Sequence, residues 1–180
     1  MGQIKVVLIG HKARQGKDTF ASMLKEEMER RGENTSVFHF ADPLKEIVSE
    51  ALGVSRETLD ALKNENGHYR EILQRFGSGK MKDYFGEKVW KELVVDHIRA
   101  LDEMGVSCVI IPDFRFPAEY IDGAISINVV RPGVWIGDEH ISETAMDLYE
   151  YDKTVVNDLD LEYLQRKARE IGEKIIRGML

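Results

Sequence analysis

The segment VVLIGHKARQGKDTF, residues 6–20, constrains the fold of this chain more than any other. The run from Ile4 to Ile9 is almost continuously aliphatic, which is typical of a central parallel strand that is covered on both faces. From Lys17 onward the apolar side chains have helical spacing, and Gly32 is a suitable stop. A buried strand that enters a helix through a glycine-bearing loop predicts an α/β domain built on a parallel sheet.

The loop between this strand and this helix predicts phosphate binding. Backbone N–H groups of such a loop and of the first helical turn point toward an anion, and the helix dipole adds partial positive charge there. Gly16 allows the backbone to approach the phosphates closely, and the ammonium group of Lys17 would reach them.

The loop departs in two ways from the common pattern G-x-x-x-x-G-K-[ST]. His11 stands in the place of the first glycine, so either His11 adopts a turn conformation or the loop is one residue longer and Gly10 makes the turn. Asp18 replaces the Ser or Thr that usually contacts Mg²⁺, and Thr19 follows it. Asp18 could hold the metal through water or only favour the helix N-terminus electrostatically. By itself, the pattern leaves open an ordinary strand–turn–helix with an incidental Gly-Lys pair.

A second motif, VIIPDFRFPAE, supports the phosphate interpretation. The apolar strand ends just before Asp113, which places a carboxylate at the carboxyl edge of the sheet, where α/β proteins bind ligands. A carboxylate that faces Mg²⁺ is needed there, and Arg115 follows on the same side. Alternatively, Asp113 caps the next turn and Arg115 pairs with Glu119. Together with the loop, the motif favours the functional interpretation.

Further basic residues are candidates for phosphate contacts. Arg70 and Gln74 are four residues apart on one face of a predicted helix, and a planar guanidinium suits bidentate phosphate binding. Arg131 lies at the end of a predicted strand, before a Pro/Gly loop, and could close over the transferring phosphoryl group as a lid arginine. The segment HISE, residues 140–143, is either a helix start or a substrate-contacting loop. For any one of these side chains, solvation or a surface ion pair is the simpler interpretation.

Composition excludes several classes of function. A net charge of −7 and a pI of about 5.3 argue against a general nucleic-acid binder. No apolar run approaches the ~18 residues of a membrane span. Cys108, the single cysteine, lies in the apolar run VSCVII and is interpreted as a buried hydrophobe; its isolation is compatible with a reducing cytosol. One cysteine and scattered histidines indicate no zinc site.

The remaining pattern alternates strands with helices. We predict strands at Ser36–Phe40, Val106–Ile111, Ala124–Val130 and in KTVVN, and helices at Pro43–Leu52 with Asp42 as N-cap, Arg56–Lys63, Tyr69–Phe76, about Lys88–Met104, and Asp160–Met179. Residues 1–180 are predicted to form one domain, with a core at about 1–50 and 105–180. A helical insertion is expected at about 52–90 and a lid-like loop at about 131–143.

The segments KARQGKDTFA, FADPLKE, REILQRFG, VIIPDFRFPAE, VVRPG, HISE and TVVNDLDLEYL together resemble the deoxynucleoside monophosphate kinases of bacteriophages and their bacterial relatives. The resemblance extends from about residue 4 to residue 170. It implies a three-layer P-loop kinase fold with a mostly parallel five-stranded sheet flanked by helices. It also implies ATP and Mg²⁺ on the donor side, a deoxynucleoside monophosphate as acceptor, and a diphosphate as product.

The resemblance also implies roles for individual residues. The ATP-binding residues would be Ala13, Arg14, Gly16, Lys17, Asp18, Thr19 and Asn157. The monophosphate-binding residues would be Asp42, Arg70, Gln74, Arg115, Glu119, His140, Ser142 and Glu143. Lys17, Arg115 and Arg131 would act in catalysis, and Asp18 and Asp113 would face Mg²⁺.

Two other functions stay open at this point. One is a kinase of another small phosphate, such as phosphomevalonate, and the other is a nucleotide-binding regulatory protein that transfers nothing. For the leading interpretation we expect small-molecule nucleotides as the ligands, with no nucleic acid or membrane as partner. We also expect a cytoplasmic location, in the host if the gene belongs to a phage, and a possible homodimer. Base preference and the choice between ribose and deoxyribose stay open.

Overall fold

The computed structural model describes residues 4–10, 12–77, 86, 88–134 and 141–180. The chain divides into two compact units. The first unit contains Met1–His39 and Ile98–Leu180, and the second contains Phe40–His97.

The first unit is built on a five-stranded sheet in which every pair of neighbouring strands is parallel. The strands are β1 (Lys5–Gly10), β2 (Thr35–Val37), β3 (Cys108–Ile111), β4 (Ile125–Val130) and β5 (Lys153–Val156), in the spatial order β2-β3-β1-β4-β5. The prediction of an α/β fold on a five-stranded sheet is therefore confirmed. The expectation of a mostly parallel sheet is refined, since all of these strands run in one direction.

The helices in the described ranges follow the predicted pattern. They are α1 (Lys17–Arg30), α2 (Asp42–Leu52), α3 (Arg56–Glu65), α4 (Gly67–Arg75), α5 (Val89–Glu103), α6 (Ile141–Thr144) and α7 (Leu161–Ile176), with a 3₁₀ turn at Pro117–Glu119. None of the helices in this part of the chain is long and apolar enough to cross a membrane.

The core of the first unit lies where α1 and α7 pack on the sheet. Phe20, Leu24 and Met28 of α1 are fully buried, as the helical spacing predicts, and they contact strand residues such as Ile9 and Ile127. The carboxylate of Asp160 accepts a hydrogen bond from the N–H of Tyr163 at 2.8 Å and so caps the start of α7. Val7 and Ile9, which lie on one face of the central strand β1, are thus fully buried in the cluster that these two helices form with the sheet.

The second unit packs α2, α3 and α4 around Val48, Leu59 and Leu73. The second unit therefore includes α2 as well as α3 and α4. The prediction that Asp42 caps α2 with its side chain is wrong. Ala41 is the N-cap residue and Asp42 is the first residue of the helix, where its carboxylate accepts a hydrogen bond from Arg56. The division into core, insertion and lid stays a prediction.

Two predicted strands are each two residues longer than the observed ones. The strand predicted at Ser36–Phe40 ends at Val37, where its pairing with Ile110 of β3 ends. The strand predicted from Val106 begins at Cys108, because residues 106 and 107 lie before the pairing with β1 begins. The predicted lid-like loop is described only as far as residue 134 and again from Ile141.

Candidate active site

The parallel sheet brings four of the predicted site segments to one edge. The carboxyl ends of β1, β3, β4 and β5 are followed by the loop 12–16, by Asp113 and Arg115, by Arg131 and by Asn157. Phe114 N–H donates to the carbonyl of Ile9 at 3.2 Å, and Asn157 N–H donates to that of Val130 at 2.7 Å. These backbone hydrogen bonds hold the segments against the strand ends, at the edge where α/β sheets bind ligands.

The loop before α1 has a backbone that suits an anion. Gly16 is the N-cap residue of α1, with φ 91°, and α1 has no side-chain hydrogen bond at its cap. A Cβ atom at Gly16 would lie 2.5 Å from Nδ2 of Asn157, so a larger residue would be strained by the positive φ and would displace the Asn157 side chain. Because Gly16 has no side chain that could cap the helix, a bound phosphate can accept hydrogen bonds from the N–H groups at its start.

Gly10 has a different role from the one the loop pattern suggests. It is the last residue of β1 and pairs with Asn128, and it is not among the glycines with positive φ. A Cβ atom at Gly10 would lie only 2.2 Å from the hydroxyl oxygen of Tyr151. The glycine therefore allows Tyr151 to approach the strand. His11, the other residue considered for the loop turn, lies outside the described residues.

Gln15 is a buried loop residue that the sequence motifs did not indicate. Its side-chain oxygen accepts a hydrogen bond from the backbone N–H of Arg131, and its carbonyl accepts one from Nδ2 of Asn157 at 2.9 Å. Gln15 therefore joins the loop to the segments that follow β4 and β5. No local pattern in the sequence could have indicated this, because its partners are 116 and 142 residues away.

Lys17 is almost completely buried, with 6% of its surface exposed. Its Nζ donates a hydrogen bond to the carbonyl of Lys12. Burial, followed by the charge of Arg115, lowers the pKa of Lys17 from 10.5 to about 8, while the nearby carboxylates of Asp18, Glu143 and Asp113 oppose this. The site thus concentrates one guanidinium and three carboxylates around one ammonium group.

Arg115 is held at both its backbone and its side chain. Its N–H and the N–H of Phe116 donate to one carboxylate oxygen of Glu119, at 2.8 Å and 3.0 Å. Its guanidinium donates to Glu143. The sequence left open that Arg115 pairs with Glu119. This is correct only for the backbone N–H of Arg115, since its guanidinium pairs with Glu143.

Asp18 lies in the first turn of α1, with 82% of its side chain exposed. Nε2 of His39 is 3.3 Å from its carboxylate, and this hydrogen bond is the main reason why the pKa of Asp18 is lowered. His39, which follows β2, is thus a further residue at the loop to which the sequence motifs assigned no role.

A cavity of about 580 Å³ opens beside the loop. Gly16, Thr19, Arg131 and Asn157 line it together with residues of the segment 159–164. In that segment Leu159 and Leu161 are 63% and 67% exposed. A cavity of this size, lined by both polar and apolar residues, suits a small organic ligand such as a nucleotide base.

Comparison with known proteins decides the family. The model of the family described as deoxynucleotide monophosphate kinase matches residues 54–168, which is more than half of the chain. The chain belongs to the deoxynucleotide monophosphate kinase family. The matched range includes Asp113, Arg115 and Arg131 and begins after the phosphate loop, so the assignment of the loop depends on its own geometry.

Two phage members of the deoxynucleotide monophosphate kinase family are similar to this chain. The deoxynucleotide monophosphate kinase of Enterobacteria phage T4 is 29% identical over 140 residues, covering 74% of this chain and 57% of that protein. That of Escherichia phage RB69 is 29% identical over 128 residues, covering 68% and 50%. The chain spans about half the length of these curated relatives.

A solved structure supports the fold of this family member. Dephospho-CoA kinase from Campylobacter jejuni aligns over 95% of this chain and 97% of its own, with a TM-score of 0.51 and 13% identity. At this identity the likeness shows the fold alone, a P-loop kinase fold.

The residues predicted on the monophosphate side of this kinase family member are divided between the units. Asp42 and the exposed residues Arg70 and Gln74 belong to the second unit, where Asp42 pairs with Arg56. Glu119, Ser142 and Glu143 belong to the first unit. His140 lies outside the described residues. The monophosphate-binding roles stay predictions.

Proposed function

We propose that this protein transfers the γ-phosphoryl group of ATP to the 5′-phosphate of a deoxynucleoside monophosphate, giving ADP and a deoxynucleoside diphosphate. One observation carries the proposal. In a member of the deoxynucleotide monophosphate kinase family, a buried lysine and a fixed arginine lie together at the carboxyl edge of the sheet.

ATP would bind at the loop and in the neighbouring cavity. The N–H groups of the loop and of the first turn of α1, with Arg14 and Thr19, would hold the phosphates. Lys17 would contact the β- and γ-phosphates. The adenine would enter the cavity between Arg131 and the segment 157–161, where Leu159 and Leu161 offer apolar surface. The burial of Lys17 supports this role, because burial and the charge of Arg115 disfavour its ammonium form, and a bound phosphate would add negative charge that stabilises it.

The transfer step needs positioning and positive charge rather than a strong base. An ionised oxygen of the acceptor phosphate forms a bond to the γ-phosphorus, the bond to the β,γ-bridging oxygen breaks, and ADP leaves with those electrons. Lys17, Arg115 and Arg131 would stabilise the charge on the transferring group. Neither bond change requires the protein to accept a proton.

The donor atoms fit a magnesium ion that arrives with the nucleotide. Mg²⁺ prefers oxygen and is usually held by one or two carboxylates together with substrate phosphates. Asp18 and Asp113 supply carboxylate oxygens at the loop, and within the described ranges no group of three or more His, Cys, Asp or Glu forms a separate metal cluster. When bound, the ion would neutralise phosphate charge.

The acceptor would be held by Asp42, the Arg70 and Gln74 face of α4, and Glu119 with residues 140–143. Closure of the helical region and of the lid-like loop would exclude water and so protect ATP from hydrolysis. We include the cytoplasmic location and the possible homodimer in this proposal. Sedimentation at several protein concentrations tests the oligomeric state.

An assay of ADP release tests the proposed function. The purified chain is offered ATP, Mg²⁺ and each ribo- and deoxynucleoside monophosphate, with Lys17→Ala as the control. We expect turnover with at least one deoxynucleoside monophosphate that the control lacks. Absence of turnover with every nucleotide would refute the proposal. Turnover with phosphomevalonate alone would support a small-phosphate kinase, and thermal stabilisation by ATP without product would support a regulatory protein.

A further inference from the structure

Glu143 connects the phosphate loop to Arg115. Only 5% of this residue is exposed. One carboxylate oxygen accepts the backbone N–H of Ala13 at 2.7 Å, and the other accepts an N–H from the guanidinium of Arg115. Burial of a carboxylate is costly unless it is paired and hydrogen-bonded, and here both oxygens have a charged or polar partner.

This arrangement determines where the Arg115 guanidinium points. Glu119 fixes the backbone of Arg115, and Glu143 fixes the end of its side chain. An arginine fork carries five N–H groups, so a guanidinium that uses one toward Glu143 still has donors to offer a phosphate. A side chain held at both ends loses little further rotamer entropy when it binds.

Glu143 also offsets the repulsion between two cations. Its charge acts on Lys17 in the opposite direction to that of Arg115. Without this carboxylate, less negative charge would offset the repulsion between Arg115 and Lys17. The backbone N–H of Ala13 donates a hydrogen bond to Glu143, and Glu143 in turn binds the guanidinium of Arg115. The carboxylate therefore fixes the position of the phosphate loop relative to Arg115.

We propose that Glu143 is a positioning residue that holds Arg115 and the phosphate loop in the geometry needed for phosphoryl transfer. This role differs from the monophosphate contact implied by the family resemblance, and it rests on the function proposed above. The buried carboxylate acts through Arg115.

Kinetics of matched variants test the proposal. In Glu143→Gln the amide oxygen can still accept the Ala13 N–H, but its NH₂ group then faces the guanidinium with a second donor. We expect kcat to fall about 10- to 100-fold while the KM values for both substrates change less than about 3-fold. Glu143→Asp keeps the charge on a shorter side chain, so its kcat should lie between those of wild type and Glu143→Gln. Glu27→Gln is the matched control, because Glu27 of α1 is equally buried and pairs with Arg30 and with Arg31, the residue that follows the helix. The kcat of this variant should stay within about 2-fold of wild type.

A double-mutant cycle separates positioning from a purely structural effect. If Glu143 acts through Arg115, Glu143→Gln should reduce kcat less than about 2-fold further in an Arg115→Ala background. Multiplication of the two single effects would overturn the proposal, as would an unchanged kcat with an altered KM for the monophosphate.

A second measurement does not depend on activity. We expect slowly exchanging guanidinium signals of Arg115, assigned by their loss in Arg115→Lys, in NMR spectra of wild type and Glu27→Gln, and their disappearance in Glu143→Gln. Signals that are the same in Glu143→Gln and wild type would overturn the positioning role. A wild-type chain that phosphorylates no acceptor would overturn only the proposed function, and the NMR result would then decide this inference.

Discussion

Replacement of Lys17 by methionine should make the ligand-free protein more stable while abolishing its activity. The ammonium of Lys17 is buried, with 6% exposed, and its pKa is lowered from 10.5 to about 8. Methionine has a similar length and no charge, so it removes the cost of burying the ammonium group. A side chain that destabilises its own fold is expected at a site shaped for a ligand.

The size of the effect follows from the pKa. A decrease from 10.5 to about 8 corresponds to about 3 kcal/mol of lost folding free energy while both states are protonated. Loss of the hydrogen bond to the Lys12 carbonyl offsets about 1 kcal/mol of the gain. We therefore expect the free energy of unfolding of Lys17→Met to exceed that of wild type by about 2 kcal/mol at pH 7.

The effect should depend on pH in one direction. The folded pKa lies below the unfolded pKa, so between pH 8 and 10.5 the unfolded chain binds more protons and wild-type stability rises through this group. The burial cost is fully present below pH 8 and is lost by about pH 10.5. Other groups titrate in both proteins, so their contributions cancel in the comparison. The excess free energy of unfolding of Lys17→Met over wild type should therefore shrink by about 2 kcal/mol between pH 7 and pH 9.5.

Urea denaturation followed by circular dichroism, in EDTA and without nucleotide, measures the free energy of unfolding at pH 7 and at pH 9.5. The comparison holds provided that the m-values of the variants agree. Lys25→Met is the matched control, because Lys25 lies on the same helix but pairs with Glu29 at the surface, and its effect should stay below about 0.5 kcal/mol. A Lys17→Met protein that is less stable than wild type at pH 7, or an advantage that does not shrink by pH 9.5, would refute the reasoning.

Two further predictions concern packing and burial. Gly10→Ala should destabilise the protein by about 1–3 kcal/mol, because the new Cβ would meet the side chain of Tyr151. Gly67→Ala is the control: Gly67 has open space around it, so the free energy of unfolding should change by less than about 1 kcal/mol. Equal losses of stability in urea denaturation would contradict this prediction. Burial raises the pKa of the Cys108 thiol to about 12. At pH 8, iodoacetamide should therefore modify this thiol at least about 100-fold more slowly in the native protein than in urea. Equal rates would show that the thiol is accessible.

The fold class and much of the site could be predicted because their signals are local. The central strands β1 and β3 are apolar runs, and polar residues follow within two positions of the ends of β3 and β5, as Asp113 and Asn157 do. Since parallel strands end at one edge, these residues could be grouped from the strand pattern alone. The cap of α2 could not be predicted in this way. Asp42 matched the local capping pattern, but Arg56, 14 residues away, binds its carboxylate.

The sequence by itself determined the strand–loop–helix unit, the parallel sheet and the presence of Lys17, Asp113 and Arg115 at its carboxyl edge, because hydrophobic period and glycine placement act over a few residues. Only the tertiary structure decided what holds the loop in place. Gln15 meets the backbone of Arg131 across 116 residues, and Glu143 meets that of Ala13 across 130. Such contacts have no period in the sequence, since they arise only when separate strands place their ends side by side.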